Sequence, residues 1–266
     1  MMRRRPVDPA RSSASAVRGV AILLGAAVLL AACASDGSID NPVERRFSWF
    51  DYISGGDLRR ACASGSPAAQ GAYRFVEYRN RAEQVRIYEL RPGAGGGEGA
   101  RLRAHVLEGP IRFSRWPLFT DPLHPWQGEK AETRLGEAQV QAIASDAAEG
   151  GLLEPPPVGR TLASRSFFWL VAACREGTGF AFQVWEWPDA GYRGRDFAEI
   201  LHGADPTGIP LNPLPAGEGR LENAVHPGVQ EQRTGHSAYE HYDLIVGDAG
   251  VSVGRSYPPR SSHPID

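Results

Sequence analysis

Lysine is almost absent from this chain: Lys130 is the only one, and arginine supplies the rest of the 29 basic residues. We read this as a habit of genome composition rather than a functional choice. Basic charge is not in excess either, since 31 Asp and Glu against 29 Lys and Arg leave a net charge of −2. A nucleic-acid binder needs a concentrated basic face, so no nucleic acid is expected as a partner. Long apolar runs are also lacking. The one candidate, Val20 to Leu30, is about eleven residues long, whereas a membrane-spanning helix needs roughly 20. Cysteine is scarce, at three residues. Setting Cys33 aside leaves Cys62 and Cys174, and so at most one intramolecular disulfide. There is no internal repeat.

The short apolar run sits in an informative place. Arg3, Arg4, Arg5, Arg11 and Arg18 precede or flank it, Asp8 is the only acid nearby, and small residues follow it. A basic region, a short apolar region and a small-residue cleavage site describe an export signal. The alternative is a short uncleaved anchor. The run closes on Leu30-Ala31-Ala32-Cys33, which resembles the lipobox of bacterial lipoproteins. That resemblance implies cleavage before Cys33, a diacylglyceryl thioether on its sulfur and an acylated amine. A thiolate is the nucleophile this chemistry needs. One acyl chain anchors only marginally, at about 0.8 kcal/mol per buried methylene, so stable anchoring takes two or more. Ala34 rather than Asp follows the cysteine. By resemblance to Gram-negative lipoproteins this favours the outer membrane, periplasmic face, over the inner membrane.

Residues 1–32 carry five of the basic residues and one of the acidic ones, so the chain from Cys33 onward has 24 basic and 30 acidic residues. In an exported, oxidising setting Cys62 and Cys174 are expected to pair. The bridge would close a loop of about 110 residues, worth at most about 4.7 kcal/mol in the chain-entropy model. The alternative is two separate buried thiols.

Along the chain, residues 33–60 read as a polar tether and a short helix. Asn41-Pro42 with Glu44 supplies a cap, a first-turn proline and an acid. Phe47, Phe50 and Ile53 fall at helical spacing, and Gly55-Gly56 ends the run. Residues 61–212 read as the folded domain. Tyr73–Tyr78 and Gln84–Leu90 are β-rich runs suited to a hairpin, and Leu102, Ala104 and Val106 mark a third strand. Pro117, Pro122 and Pro125 with Trp116 and Trp126 suggest a pinned loop. Val140, Ile143, Ala144 and Ala147 predict a helix, with Thr133 as its cap. Phe167–Cys174 is the most apolar stretch of the exported part and predicts an interior strand, with Phe180–Trp187 as its half-buried partner. Phe197, Ile200 and Leu201 mark a second short helix, ended by the turn Asp205-Pro206-Thr207-Gly208. Residues 213–266 read as a flexible tail, with Tyr242–Val246 as an isolated strand. Short connections imply antiparallel pairing. The expectation is an α+β, two-layer domain: a mainly antiparallel sheet of about five strands with helices on one face.

No catalytic constellation is credible. Gly250-Val251-Ser252-Val253-Gly254 matches G-x-S-x-G, but that motif needs a strand-to-helix turn and a downstream acid and His. Here Pro258-Pro259 follow almost at once. Gly95, Gly97 and Ala100 mimic a dinucleotide fingerprint but lead into a strand, without a helix N-terminus for phosphate. His236, Glu240, His241 and Asp243 lack metal-ligand spacing. His105 and His202 stand alone and read as structural. No metal and no cofactor are therefore expected. One group is more suggestive. Glu83, Gln84, Arg86, Tyr88 and Glu89 lie on or beside one strand. Glu83, Arg86 and Tyr88, with Trp169 and Trp185 on neighbouring strands, could line a concave sheet face for binding. An ordinary solvent face with cross-strand ion pairs is the alternative.

Four stretches carry a wider likeness: Asn41-Pro42-Val43-Glu44-Arg45-Arg46-Phe47, Glu83-Gln84-Val85-Arg86, Asp121-Pro122-Leu123 with Pro125-Trp126, and Asp205-Pro206-Thr207-Gly208-Ile209-Pro210. Through them residues 40–212 resemble uncharacterised lipoproteins of alphaproteobacteria. The resemblance implies export and carries no catalytic residue over. The expected function is that of a lipid-anchored envelope protein that binds or supports a periplasmic partner. A small-ligand binder or hydrolase using the sheet face is the alternative.

Overall fold

Strands rich in aromatic and β-branched residues build the centre of the molecule. The computed structural model describes residues 42–79, 84–93, 99–108, 128–214 and 241–257, with backbone only for 42–47, 241 and 256–257. All lie in the second of the chain's two compact units, residues 39–266. Strand β1 (Ala72–Arg79) pairs antiparallel with β2 (Gln84–Pro92), placing Tyr73 opposite Leu90 and Arg79 opposite Gln84. β3 (Ala100–Glu108) and β4 (Glu129–Leu135) extend the sheet beyond β2. On the other side of β1 lie β6 (Phe167–Arg175) and β7 (Gly179–Glu186). The order is β4-β3-β2-β1-β6-β7, antiparallel throughout.

Both faces of this sheet are covered, which is why β1 is buried along its whole length and β6 along all but its last residue. On one face pack helices α1 (Pro42–Ile53) and α2 (Gly56–Ala63), with Trp49, Ile53 and Leu58 against Val76, Phe168 and Leu170. On the other pack α3 (Glu137–Ala147) and α4 (Asp196–Ala204). Ile143, Phe197 and Leu201 meet Phe75, Leu102 and Trp169 there. Phe197 is fully buried, with ring centroids of Phe75, Trp169 and Trp185 at 5.0, 5.3 and 5.6 Å. Such burial contributes about 1.5–3 kcal/mol relative to leaving the ring exposed.

The α+β class with an antiparallel sheet is as expected, and several particulars differ. The main sheet has six strands rather than about five. The additional strand, β4, carries Glu129, Lys130, Glu132 and Arg134, and only Leu135 is buried. It is an edge strand, where charged side chains guard against edge-to-edge pairing, so it shows no apolar alternation. Thr133 lies within it, and Gly136 begins α3, its N–H donating to Gln139 Oε1 at 3.1 Å. Helices pack on both faces rather than one. Residues 56–63, read across the boundary of tether and domain, form α2 and belong to the core.

The largest difference lies in the expected tail. β8 (His241–Gly247) and β9 (Gly250–Tyr257) form a hairpin that joins β5 (Thr161–Ala163) in a second sheet, ordered β5-β8-β9. Leu162, Leu244, Val246 and Val251 sink into the core beside α1 and α2. Ser54 fastens the hairpin by accepting from Val251 N at 2.8 Å and donating to Val251 O at 3.3 Å. Gly250 makes room for this: its φ is +150°, and a Cβ there would sit 2.5 Å from Ser54 Cβ. The remainder of 213–266, residues 215–240 and 258–266, lies outside the described residues.

The Cys62–Cys174 disulfide is formed, with an S–S distance of 2.07 Å, and links α2 to the end of β6 across 112 residues. Next to it, Gly55 turns the chain from α1 into α2 at φ +69°, where a Cβ would collide with Ala172 Cβ at 2.4 Å. No helix among the described residues is long and apolar enough to cross a membrane.

Candidate functional site

Side chains on a strand alternate between faces, and the β1–β2 register sorts the polar residues of this hairpin into two buried clusters. Glu77 stands opposite Arg86 and Arg79 opposite Gln84, on the α4 face. Arg74 stands opposite Glu89, on the α1–α2 face.

The first cluster joins the hairpin to α4 and the segment after it. Glu77 has a fully buried side chain and accepts from Arg79 Nε at 2.8 Å and Tyr192 OH at 3.1 Å. Its other oxygen lies 2.8 Å from His202 Nε2. His202 also stacks beside Trp169, with centroids 5.8 Å apart. Arg86, 1% exposed, forms an ion pair with Asp205 and donates to Ile209 O at 2.5 Å, Pro210 O at 2.9 Å and Gln84 Oε1 at 2.9 Å. Gln84 Nε2 donates to Pro210 O at 3.0 Å, and Arg79 donates to Asn212 O. Asp205 further accepts from Tyr88 OH at 2.9 Å and from Thr207 N and Oγ1 at 2.9 and 2.6 Å. Gln84–Arg86 and Asp205–Pro210 therefore meet as one clasp.

Burial works to raise the Glu77 carboxyl, but the His202 hydrogen bond and the Arg79 charge outweigh it and hold it below the usual range. Asp205 is likewise held low, burial being outweighed by its bonds from Thr207 and Tyr88 and by Arg86. Burial pushes the Tyr88 and Tyr192 phenols up, so both remain neutral donors. The carboxylate–imidazole contact between Glu77 and His202 fixes the orientation of the ring. In this setting it ties α4 to β1.

The second cluster lies under α1 and α2. Arg74, 3% exposed, makes a two-pronged pair with Asp57 at 2.5 and 2.8 Å and reaches Glu89 Oε1 at 2.7 Å. It also donates to Tyr52 O at 2.8 Å, and its guanidinium lies 3.7 Å from the centroid of the Tyr52 ring. Tyr52 OH donates to Glu89 Oε1 at 2.9 Å. Burial would raise both carboxyls, but Arg74 keeps Asp57 and Glu89 below their usual values.

The expected binding residues are thus brought together but not exposed. Arg86, Tyr88, Trp169 and Trp185 share the α4 face and are 1%, 0%, 1% and 6% exposed. The open concave face is corrected to a closed one: Phe197 and Leu201 cover the aromatic part, and the segment from Asp205 to Asn212 covers the charged part. Glu83 and Cys33 lie outside the described residues. Sequence reasoning missed Glu77, Arg79, Tyr192, His202 and Asp205 as partners. The only local signal was the Asp205-Pro206-Thr207 turn, whose side-chain bonds are now the clasp's anchor. The G-x-S-x-G match runs along β9 with Ser252 exposed, not at a strand-to-helix turn. Among the described residues, no group of three His, Cys, Asp or Glu could hold a metal ion. No protein-family profile, curated protein or solved structure matches the chain.

Proposed function

We propose that this is a lipid-anchored envelope protein, held through Cys33 at the periplasmic face of the outer membrane, whose folded domain binds or supports an envelope partner. The observation that carries the reading is the leader ending in Leu30-Ala31-Ala32-Cys33, with its basic flank and short apolar run. Two features of the domain support it. A disulfide suits an oxidising compartment. The charged residues of the central hairpin are engaged in holding segments of the chain together, a use that suits a rigid scaffold. The test is crosslinking in intact cells followed by affinity purification, comparing the wild type with a periplasm-directed form lacking Cys33. Recovery of the same protein partner with the wild type is the expected result. Absence of any partner in both forms would overturn the partner-binding role.

A further inference from the structure

The covering half of the clasp, Ile209-Pro210-Leu211-Asn212-Pro213-Leu214, is constrained twice over. Its sequence is the first constraint. Proline holds φ near about −65°, and the residue before a proline is pushed into the extended region. Pro210 and Pro213 fall under the first rule; Ile209, Asn212 and Leu214, which precedes Pro215, fall under the second. Only Leu211 is locally unrestricted. The fold is the second constraint. The carbonyls of Ile209, Pro210 and Asn212 accept from Arg86, Gln84 and Arg79, and Asn212 N donates to Gln84 Oε1 at 3.3 Å. Residues 208–214 lie in neither helix nor strand.

The surface this leaves is apolar. Pro210 and Pro213 are exposed, and Leu211 and Leu214 are 39% and 37% exposed. A polyproline-type chain repeats every three residues, so the two prolines line up, and the two leucines form a second row beside them. The carbonyls of Leu211 and Pro213 have no hydrogen-bond partner among the described residues. The other proline run, Pro155 to Pro157, is not equivalent. There Val158 N donates back to Pro156 O at 2.8 Å and Arg160 N to Pro157 O at 3.0 Å, so the chain turns instead of staying extended.

We infer that the ridge Ile209–Leu214 is the surface by which a partner protein holds this domain, and that the partner meets it with a shallow groove lined by Tyr and Trp side chains. This rests on the partner-binding reading above and names its surface. Proline and leucine side chains pack on flat aromatic faces, and the Tyr O–H and Trp N–H are donors suited to the two open carbonyls. Pro210 and Pro213 have no N–H to offer a sheet edge, which favours a side-chain groove over an added strand. The clasp already holds the segment in shape, so a partner that binds it has little ordering entropy to overcome.

The test places the photoreactive residue p-benzoylphenylalanine at Leu211, on the ridge, or at Glu132, whose side chain is 52% exposed on the edge strand β4, in the full chain in intact cells. After irradiation the Leu211 probe should capture the same protein that general crosslinking recovers, joined to a peptide of that protein containing Tyr or Trp. It should capture at least about tenfold more of it than the Glu132 probe does. Pro210→Ala combined with Pro213→Ala should cut capture at Leu211 at least about tenfold. The circular dichroism of that variant should be unchanged, because both rings are exposed and the carbonyl bonds of the clasp remain. The inference is overturned if general crosslinking recovers a partner but the Leu211 probe captures no more of it than the Glu132 probe, if the joined peptide lacks both Tyr and Trp, or if the proline variant captures as the wild type does. Recovery of no partner by either method would instead overturn the partner-binding reading itself.

Discussion

Replacing Arg86 by alanine removes the centre of the clasp between the hairpin and the segment after α4. The guanidinium is 1% exposed and engages Asp205, Gln84 and the carbonyls of Ile209 and Pro210. Deleting one member of a buried ion pair leaves an uncompensated charge and typically costs about 3–5 kcal/mol. Asp205 would keep its bonds from Thr207 and Tyr88, so the lower end, about 3 kcal/mol, is expected. For a domain of this size each kcal/mol lowers the melting temperature by about 2–4 °C, giving a drop of about 6–12 °C. Urea unfolding should show a lower midpoint with an unchanged slope. Asp205→Asn introduced into the Arg86→Ala background should restore part of the loss, because it removes the stranded charge, with a coupling of about 0.5–3 kcal/mol. A drop under about 2 °C, or strictly additive single losses, would mean that the guanidinium is not enclosed as described and would refute the reasoning.

Two further outcomes follow from the same contacts. Glu77, Glu89, Asp57 and Asp205 all have carboxyls held below their usual values of 4.5 for Glu and 3.8 for Asp. A depressed carboxyl contributes stability above its unfolded value and loses it as pH falls through the folded one. The melting temperature should therefore be flat near neutrality and fall progressively below about pH 4.5; a rise in that window would contradict the ion-pair assignments. Reduction of Cys62–Cys174 should lower stability by at most about 4.7 kcal/mol, and mass analysis of the unreduced protein after alkylation should find neither cysteine modified.

Much of the fold was legible because its signals are local. Aromatic and β-branched alternation marked β1, β2, β6 and β7, and helical spacing marked α1, α3 and α4. The parts that were not legible depend on distant partners. Leu162 buries itself against a strand containing Leu244, a pairing that spacing along the chain does not encode. The Ser- and Gly-rich sequence of β9 read as tail because its order comes from Ser54, 197 residues away. β4 hid behind the charges that protect it as an edge. The candidate site divides the same way. Arg86, Tyr88, Trp169 and Trp185, expected with Glu83 to line a binding face, lie on the α4 face of the sheet. Their burial was not foreseen, because it is set by α4 and by Asp205, 119 residues from Arg86. His202 looked solitary because Glu77, its carboxylate, is 125 residues away.

The lipid anchor is the claim on which the functional reading stands, and labelling tests it directly. Cells expressing the wild type or Cys33→Ser would be grown with labelled palmitate and the protein immunoprecipitated. Label in the wild type and none in Cys33→Ser is the expected result. Label that persists in Cys33→Ser, or a wild type that takes up none, would contradict it.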